Sequence, residues 1–392
     1  MKNAHFSRSR KGFTLVEMLI ATSLIVLLLL FLVAMTDSTA KTWKYASSKT
    51  EQFQEARIAF DAMTRRLSEA TLNTYWDVEY PSGSRTPATT PSRYIRKSEL
   101  RFISGPMNTL VGGGVTKYPT HGVFFQAPTG FVGNSVNNGS LTNLLNTSGF
   151  FLEISSTDPN LPPFLESESG DLNPVVPPRL RSRLMELREP SEKFSVYQVT
   201  QPEEKKDDER VPRTTIFRPL SGSLAWFTTT LTSANPPVRR LADNVVALII
   251  LPKLTPQDEL ARVTKNPGAT PLAKGYVYDS YANVYDSDAT TVDPEINPKN
   301  QLPPVVQVTM VAIDEVSAAR LAAISQTANQ LRENLKVDRF FTDSTRLADQ
   351  ANGTAGDLTQ FQAELNKLKL THRVFTTNVS IRGAKWSRAQ SE

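Results

Sequence analysis

The chain has 392 residues, 39% of them apolar, which suits one or two packed domains and excludes wholesale disorder. It has no cysteine, which removes disulfide scaffolds, thiolate metal sites and cysteine nucleophiles together. The charge is 44 basic against 39 acidic residues. Lys2, Arg8, Arg10 and Lys11 fall in the first twelve positions with no acid among them, leaving 40 against 39 on the body and no basic face for nucleic acid.

Residues 13–35, FTLVEMLIATSLIVLLLLFLVAM, carry one charge, Glu17, and every residue from Leu24 to Met35 is apolar. As a helix they span ~35 Å, enough to cross a bilayer core of ~30 Å. The basic flank predicts a cytoplasmic N-terminus and a translocated body. A carboxylate in such a segment costs about 2.5–3.5 kcal/mol on insertion scales, so Glu17 is expected to have a partner or a role.

The segment Lys11-Gly12-Phe13-Thr14-Leu15-Val16-Glu17 resembles the class III leader of type IV pilins and pseudopilins. The resemblance implies that prepilin peptidase cuts between Gly12 and Phe13 and methylates the new Phe13 terminus. It implies that Glu17 then neutralises the amine of a neighbouring pilin-like subunit, removing two unpaired charges from an apolar phase. Two other readings use the same residues. An uncut signal anchor would carry Glu17 incidentally, and a removable secretory signal would end after Ala40 in Ser38-Thr39-Ala40.

Beyond Thr36-Asp37-Ser38 the apolar positions Trp43, Ala46, Phe53, Ala56, Phe60, Met63, Leu67 and Ala70 recur at helical spacing, and no proline or glycine interrupts the chain between Phe13 and Tyr80. The expected organisation is a cleaved leader (1–12), a transmembrane and bundle helix (13–35), an amphipathic spine helix (36–76) and a periplasmic β-rich head (77–392). The flanking positions lack coiled-coil charge register, so the stripe is expected to pack on the chain's own sheet. Residues 56–67 also resemble the helix of J-type minor pseudopilins of type II secretion.

After residue 80, short apolar runs alternate with proline-rich connections. Strands are expected at Glu99–Ile103, Gly122–Gln126, Phe150–Ser155, Arg183–Arg188, Lys193–Val199, Val245–Leu251, Val305–Ile313 and Val374–Arg382. The unbroken Val245–Leu251 reads as a central strand covered on both faces. Helices are expected at Val316–Lys336 and Asp357–Lys369, inserted between the last two strands. Pro81–Arg96, Thr157–Arg179, Thr200–Thr215 and Pro252–Gln301 read as long loops, and the charge run at 201–210 as solvated. The sum is an α+β fold: a long N-terminal helix packed on an antiparallel β-sheet head with large insertions, pilin-like in outline. The stretches Leu184–Pro190, Leu302–Met310 and Phe375–Trp386 resemble the Verru_Chthon cassette protein C group, whose members carry pilin leaders.

No catalytic residues are expected. Once the leader is removed, His121 and His372 are the remaining histidines, each at a strand start, and no nucleophile-elbow, zincin or P-loop pattern is present. Gly112-Gly113-Gly114 reads as a turn. Asp279, Asp286 and Asp288, with Asp293 and Glu295, put hard oxygen ligands on one loop and could bind calcium, but lack the third acid and the glycine of an EF-hand. Otherwise the loop is solvated. Tyr276, Tyr278, Tyr281 and Tyr285 share it, either as a contact surface for a subunit or carbohydrate or as turn packing against the head.

These features imply a minor pseudopilin-type subunit of a type II secretion or type IV pilus-like apparatus. Its partners would be prepilin peptidase, other pilin-like subunits and the bacterial inner membrane, with the head in the periplasm. A pilin-anchored adhesin or ligand-binding head is the alternative, and a membrane-anchored hydrolase a third reading.

Overall fold

The computed structural model describes residues 14–81, 90–112, 117–133, 139, 141–156, 180–194, 224–265, 267, 271–282 and 297–386. The chain divides into two compact units, Met1–Gln52 and Phe53–Glu392.

Helix α1 runs from Leu15 to Leu67. From Phe53 onward it shows the expected stripe, whereas Trp43, expected at its head, is exposed, and the Ala46 side chain lies outside those described. Ala56, Ala59, Phe60, Met63 and Leu67 are buried in the main core, and Phe53 packs against it. Phe60 lies 5.8 Å from Phe375, ring centroid to ring centroid, so the stripe packs on the chain's own sheet. The spine helix ends at Leu67 rather than at 76. The Ala70 N–H turns back onto the Leu67 carbonyl, and the Thr71 N–H donates to the Gln126 carbonyl at 2.9 Å, committing the chain to the sheet. The Thr- and aromatic-rich sequence that follows favours extended backbone.

Strands β1 (Tyr75–Glu79) and β2 (Arg93–Lys97) pair as a two-stranded ribbon. Both escaped prediction, and β2 overlaps the expected loop Pro81–Arg96. Strand β3 (Ile103–Pro106) starts only where the expected strand Glu99–Ile103 ends. Ahead of it, side chains replace the ladder. Asn73 Oδ1 accepts from Glu99 N and Leu100 N, Gln126 Oε1 from Arg101 N, and Ser280 Oγ from Phe102 N.

Helix α2 (Met107–Val111), β4 (His121–Ala127), β5 (Asn146–Ser155) and β6 (Arg181–Arg188) follow. Next come α3 (Ala225–Leu231), β7 (Val238–Asp243), β8 (Val245–Lys253), α4 (Pro256–Lys265) and the two-residue β9 (Tyr278–Asp279). The chain closes with β10 (Val305–Ile313), α5 (Glu315–Ala323), α6 (Ala328–Leu335), α7 (Asp357–Lys367) and β11 (His372–Ser380). Of the expected strand Lys193–Val199, Lys193 ends a 3-10 turn begun at Ser191, and 195–199 lie outside the described residues. The single helix expected over Val316–Lys336 is two, because Thr327 caps a new start by accepting from Gln330 N.

Among the described residues all strand pairings are antiparallel. One sheet has the order β7-β6-β5-β4-β3-β9 and another β11-β10-β8. The six-stranded sheet is covered on both faces, so alternate residues enter different cores. Val123, Phe125, Phe150, Leu152 and Leu184 share the main core with β8 and β10. Phe124, Phe151, Met185 and Leu187 face a second core under α2 and α3. Each such side chain contributes roughly 1.5–3 kcal/mol. Phe124 stacks on Phe227 with centroids 4.0 Å apart, and its ring lies so close over Gly149 that an added Cβ would sit 2.2 Å from it.

Strand β8 is buried, as its composition suggests, but it is an edge: β10 holds the centre of its sheet. Asn244, at φ 60°, is the one residue between β7 and β8 and switches the chain from one sheet to the other. Its carbonyl accepts from Ile313 N, its Oδ1 accepts from Arg181, and its Nδ2 donates to Glu315. The open edge of β8 is closed by side chains. Leu248 N donates to Thr120 Oγ1 at 3.2 Å and Ile250 N to His121 Nδ1 at 3.3 Å.

Candidate functional site

The N-terminal helix is apolar and exposed over its first part. Every residue from Thr14 to Trp43 is exposed, and Leu15–Trp43 is long and apolar enough to span a bilayer. Its hydroxyls cost little there because they bond back along the helix. Thr22 donates to Met18 O, Ser23 to Ile20 O, and Thr36 to Leu32 O.

Glu17 sits in the first turn with a local role that sequence reading missed. Thr14 N and Thr14 Oγ1 both donate to Glu17 Oε2 at 3.0 Å, and Glu17 N donates back to Thr14 Oγ1 at 3.2 Å. This reciprocal pair is a capping box, and Thr-x-x-Glu ahead of an apolar run is its sequence signature. The carboxylate is thereby held at the helix start. Gly12 and Phe13 lie outside the described residues.

The loop residues fare differently. Asp279 forms a bidentate ion pair with Arg101, whose Nε donates to Oδ1 at 2.9 Å and Nη2 to Oδ2 at 2.5 Å. Oδ1 also accepts from Tyr281 N. Both oxygens are thus committed to holding β9 beside β3, and Asp286 and Asp288 lie outside the described residues, as do Asp293 and Glu295. Among the described residues no group of three His, Asp or Glu is placed to hold a metal ion. Tyr276 and Tyr278 are buried and belong to turn packing rather than to a contact surface. Tyr276 packs on His121 with centroids 4.6 Å apart, and Tyr278 donates to Gln301 O at 2.9 Å. Burial raises both phenol pKa values. Tyr281 is exposed beneath Arg101, and Tyr285 lies outside the described residues.

His121 is scaffold. Its Nδ1 accepts from Ile250, so the neutral ring carries its proton on Nε2, which faces Phe341 O at 3.2 Å. Burial lowers its pKa to about 4, against the opposing pull of the Phe341 carbonyl. His372 starts β11 with Nδ1 3.2 Å from Leu370 O. Gly112, at φ 96°, ends α2 rather than opening a helix, so it has no phosphate-loop geometry. Gly113 and Gly114, like the charge run at 201–210, lie outside the described residues.

Residues 7–33 match the family model described as the prokaryotic N-terminal methylation motif. No curated protein and no solved structure matches the chain. The match spans the second half of the basic leader, the Gly12–Phe13 junction, Glu17 and most of the apolar run. The N-terminal segment therefore carries the methylation motif found in type IV pilin-like precursors, and a leader of that type implies processing by prepilin peptidase and assembly with other pilin-type subunits.

Proposed function

We propose that this protein is a minor, J-like pseudopilin-type structural subunit of a type II secretion or type IV pilus-like apparatus. It is cleaved after Gly12, methylated at Phe13 and assembled through its N-terminal helix. The observation that carries this reading is the methylation motif at 7–33 continuing into a wholly exposed apolar helix. Burying each of its large apolar side chains against like helices is worth roughly 1.5–3 kcal/mol relative to water, so the segment is stable only in a bilayer or in a bundle. Before assembly it anchors the chain in the inner membrane with the head in the periplasm, since the basic flank at 1–12 holds the N-terminus inside. Three helices between β10 and β11 enlarge the head and support a specialised rather than a major subunit. The likeness to the cassette protein C group supports the same class.

The test is the N-terminal mass of protein recovered from cells, with and without Gly12→Ala. A methylated Phe13 terminus that disappears in the variant is expected. An intact Met1 or a terminus at Lys41 would overturn the assignment.

A further inference from the structure

The β1–β2 ribbon borders a cleft of about 270 Å³ that is lined by Trp76 and Arg96 together with Asn300, Gly383 and Lys385. Trp76 and Arg96 are direct cross-strand partners and share one face of the ribbon. The Arg96 guanidinium lies 5.3 Å from the Trp76 ring centroid, and Trp76 remains 57% exposed. Tyr94, exposed and opposite Val78, continues the same face two residues along.

The charge at this cleft is unbalanced. Arg101, Arg181, Arg183, Arg262 and Arg332 each pair with a carboxylate. Among the described residues no carboxylate pairs with Arg96 or Lys385. The hydrogen-bond partner of the Arg96 guanidinium among the described residues is the Lys385 carbonyl, at a long 3.4 Å, and burial depresses the Arg96 pKa. A half-buried guanidinium without a counter-charge is a cost that a bound anion removes. Its planar fork matches a carboxylate, and the exposed Lys385 adds a second cation. The exposed indole offers a flat apolar face. Asn300 donates its Nδ2 to Arg96 O at 2.7 Å, which leaves its Oδ1 to accept from a hydroxyl.

We propose that this cleft binds a carboxylated sugar, a uronic-acid unit of an acidic polysaccharide. The carboxylate sits between Arg96 and Lys385, and a ring face packs on Trp76. The site lies wholly on the head and does not depend on how the N-terminal helix is processed.

The test is calorimetric titration of the full chain, held in a sugar-free polyoxyethylene detergent, with trigalacturonate, with neutral maltotriose and with acetate. Trigalacturonate is expected to bind at least about tenfold tighter than either control, and the advantage to fall about tenfold in Arg96→Gln and in Trp76→Ala. Lys385→Ala changes an exposed side chain outside the packed core and is expected to weaken trigalacturonate binding while the chain stays folded by circular dichroism. Equal binding of acetate would overturn the stacking role of Trp76, equal binding of maltotriose the carboxylate recognition, and no binding the site itself.

Discussion

Acidification should destabilise the head through one residue, His121. Its pKa falls from the ordinary 6.5 to about 4 because the ring is fully buried, and its Nδ1 cannot take a proton without releasing the Ile250 N–H. The neighbours facing it are the Phe341 carbonyl and the Tyr276 ring, with Asp357 one step behind, where it accepts from Phe341 N. The unfolded chain protonates this histidine near pH 6.5 and the folded chain does not. The stabilisation is therefore complete above about pH 7 and is lost as the pH falls toward 4. A gap of roughly 2.5 pH units at ~1.4 kcal/mol each corresponds to about 3 kcal/mol. Urea unfolding of the detergent-held chain, followed by tryptophan fluorescence between pH 7.5 and 4.5, measures it against His121→Asn. Asn can still accept from Ile250 N but does not titrate. The wild type should lose about 2.5 kcal/mol more than the variant over this range, since the loss is complete only below pH 4. Parallel pH profiles would refute the buried, neutral histidine and with it the closure of the β8 edge.

Glu17→Gln keeps the acceptor of the capping box and removes the charge, whereas Glu17→Ala removes both. Helix content in micelles should drop at the N-terminus only in the alanine variant, while assembly into filaments, scored by subunit crosslinking, should fail in both. Gly149→Ala forces a methyl into the Phe124 ring, which Phe227 prevents from turning aside, and should cost about 1–3 kcal/mol in urea unfolding. Glu186 is fully buried between Arg66 of α1 and Arg239 of β7. Burial and the nearby Arg239 and Arg188 already lower the Arg66 pKa to about 10. Glu186→Ala should destabilise by ~3 kcal/mol, and an unchanged urea midpoint would show that the pair adds nothing.

Several elements stayed illegible for identifiable reasons. The ribbon strands YWDVE and RYIRK are five residues each and half charged, so the short alternation of Trp76 and Val78 with Asp77 and Glu79 gave too weak a strand signal. Helix α4 lay inside a segment read as loop, yet its start was written in Thr255-Pro256-Gln257-Asp258. Thr255 and Asp258 bond reciprocally, and proline occupies the first helical position. Asp279 looked like a metal ligand because its partner, Arg101, is 178 positions away.

By itself the sequence determined what depends on neighbours along the chain: the leader, the apolar helix, the buried stripe from Ala56 to Leu67, and the apolar runs of β4, β5, β8 and β10. These follow from periodicity and local hydrogen bonding, which act over a few residues. Tertiary structure alone decided how the strands divide between sheets. One left-handed residue, Asn244, sends β8 away from β7, and the edge it exposes is sealed by Thr120 and His121, more than a hundred positions away. The Trp76–Arg96 cleft is likewise a product of the fold, since its walls come from both ends of the head and meet only when the chain is packed.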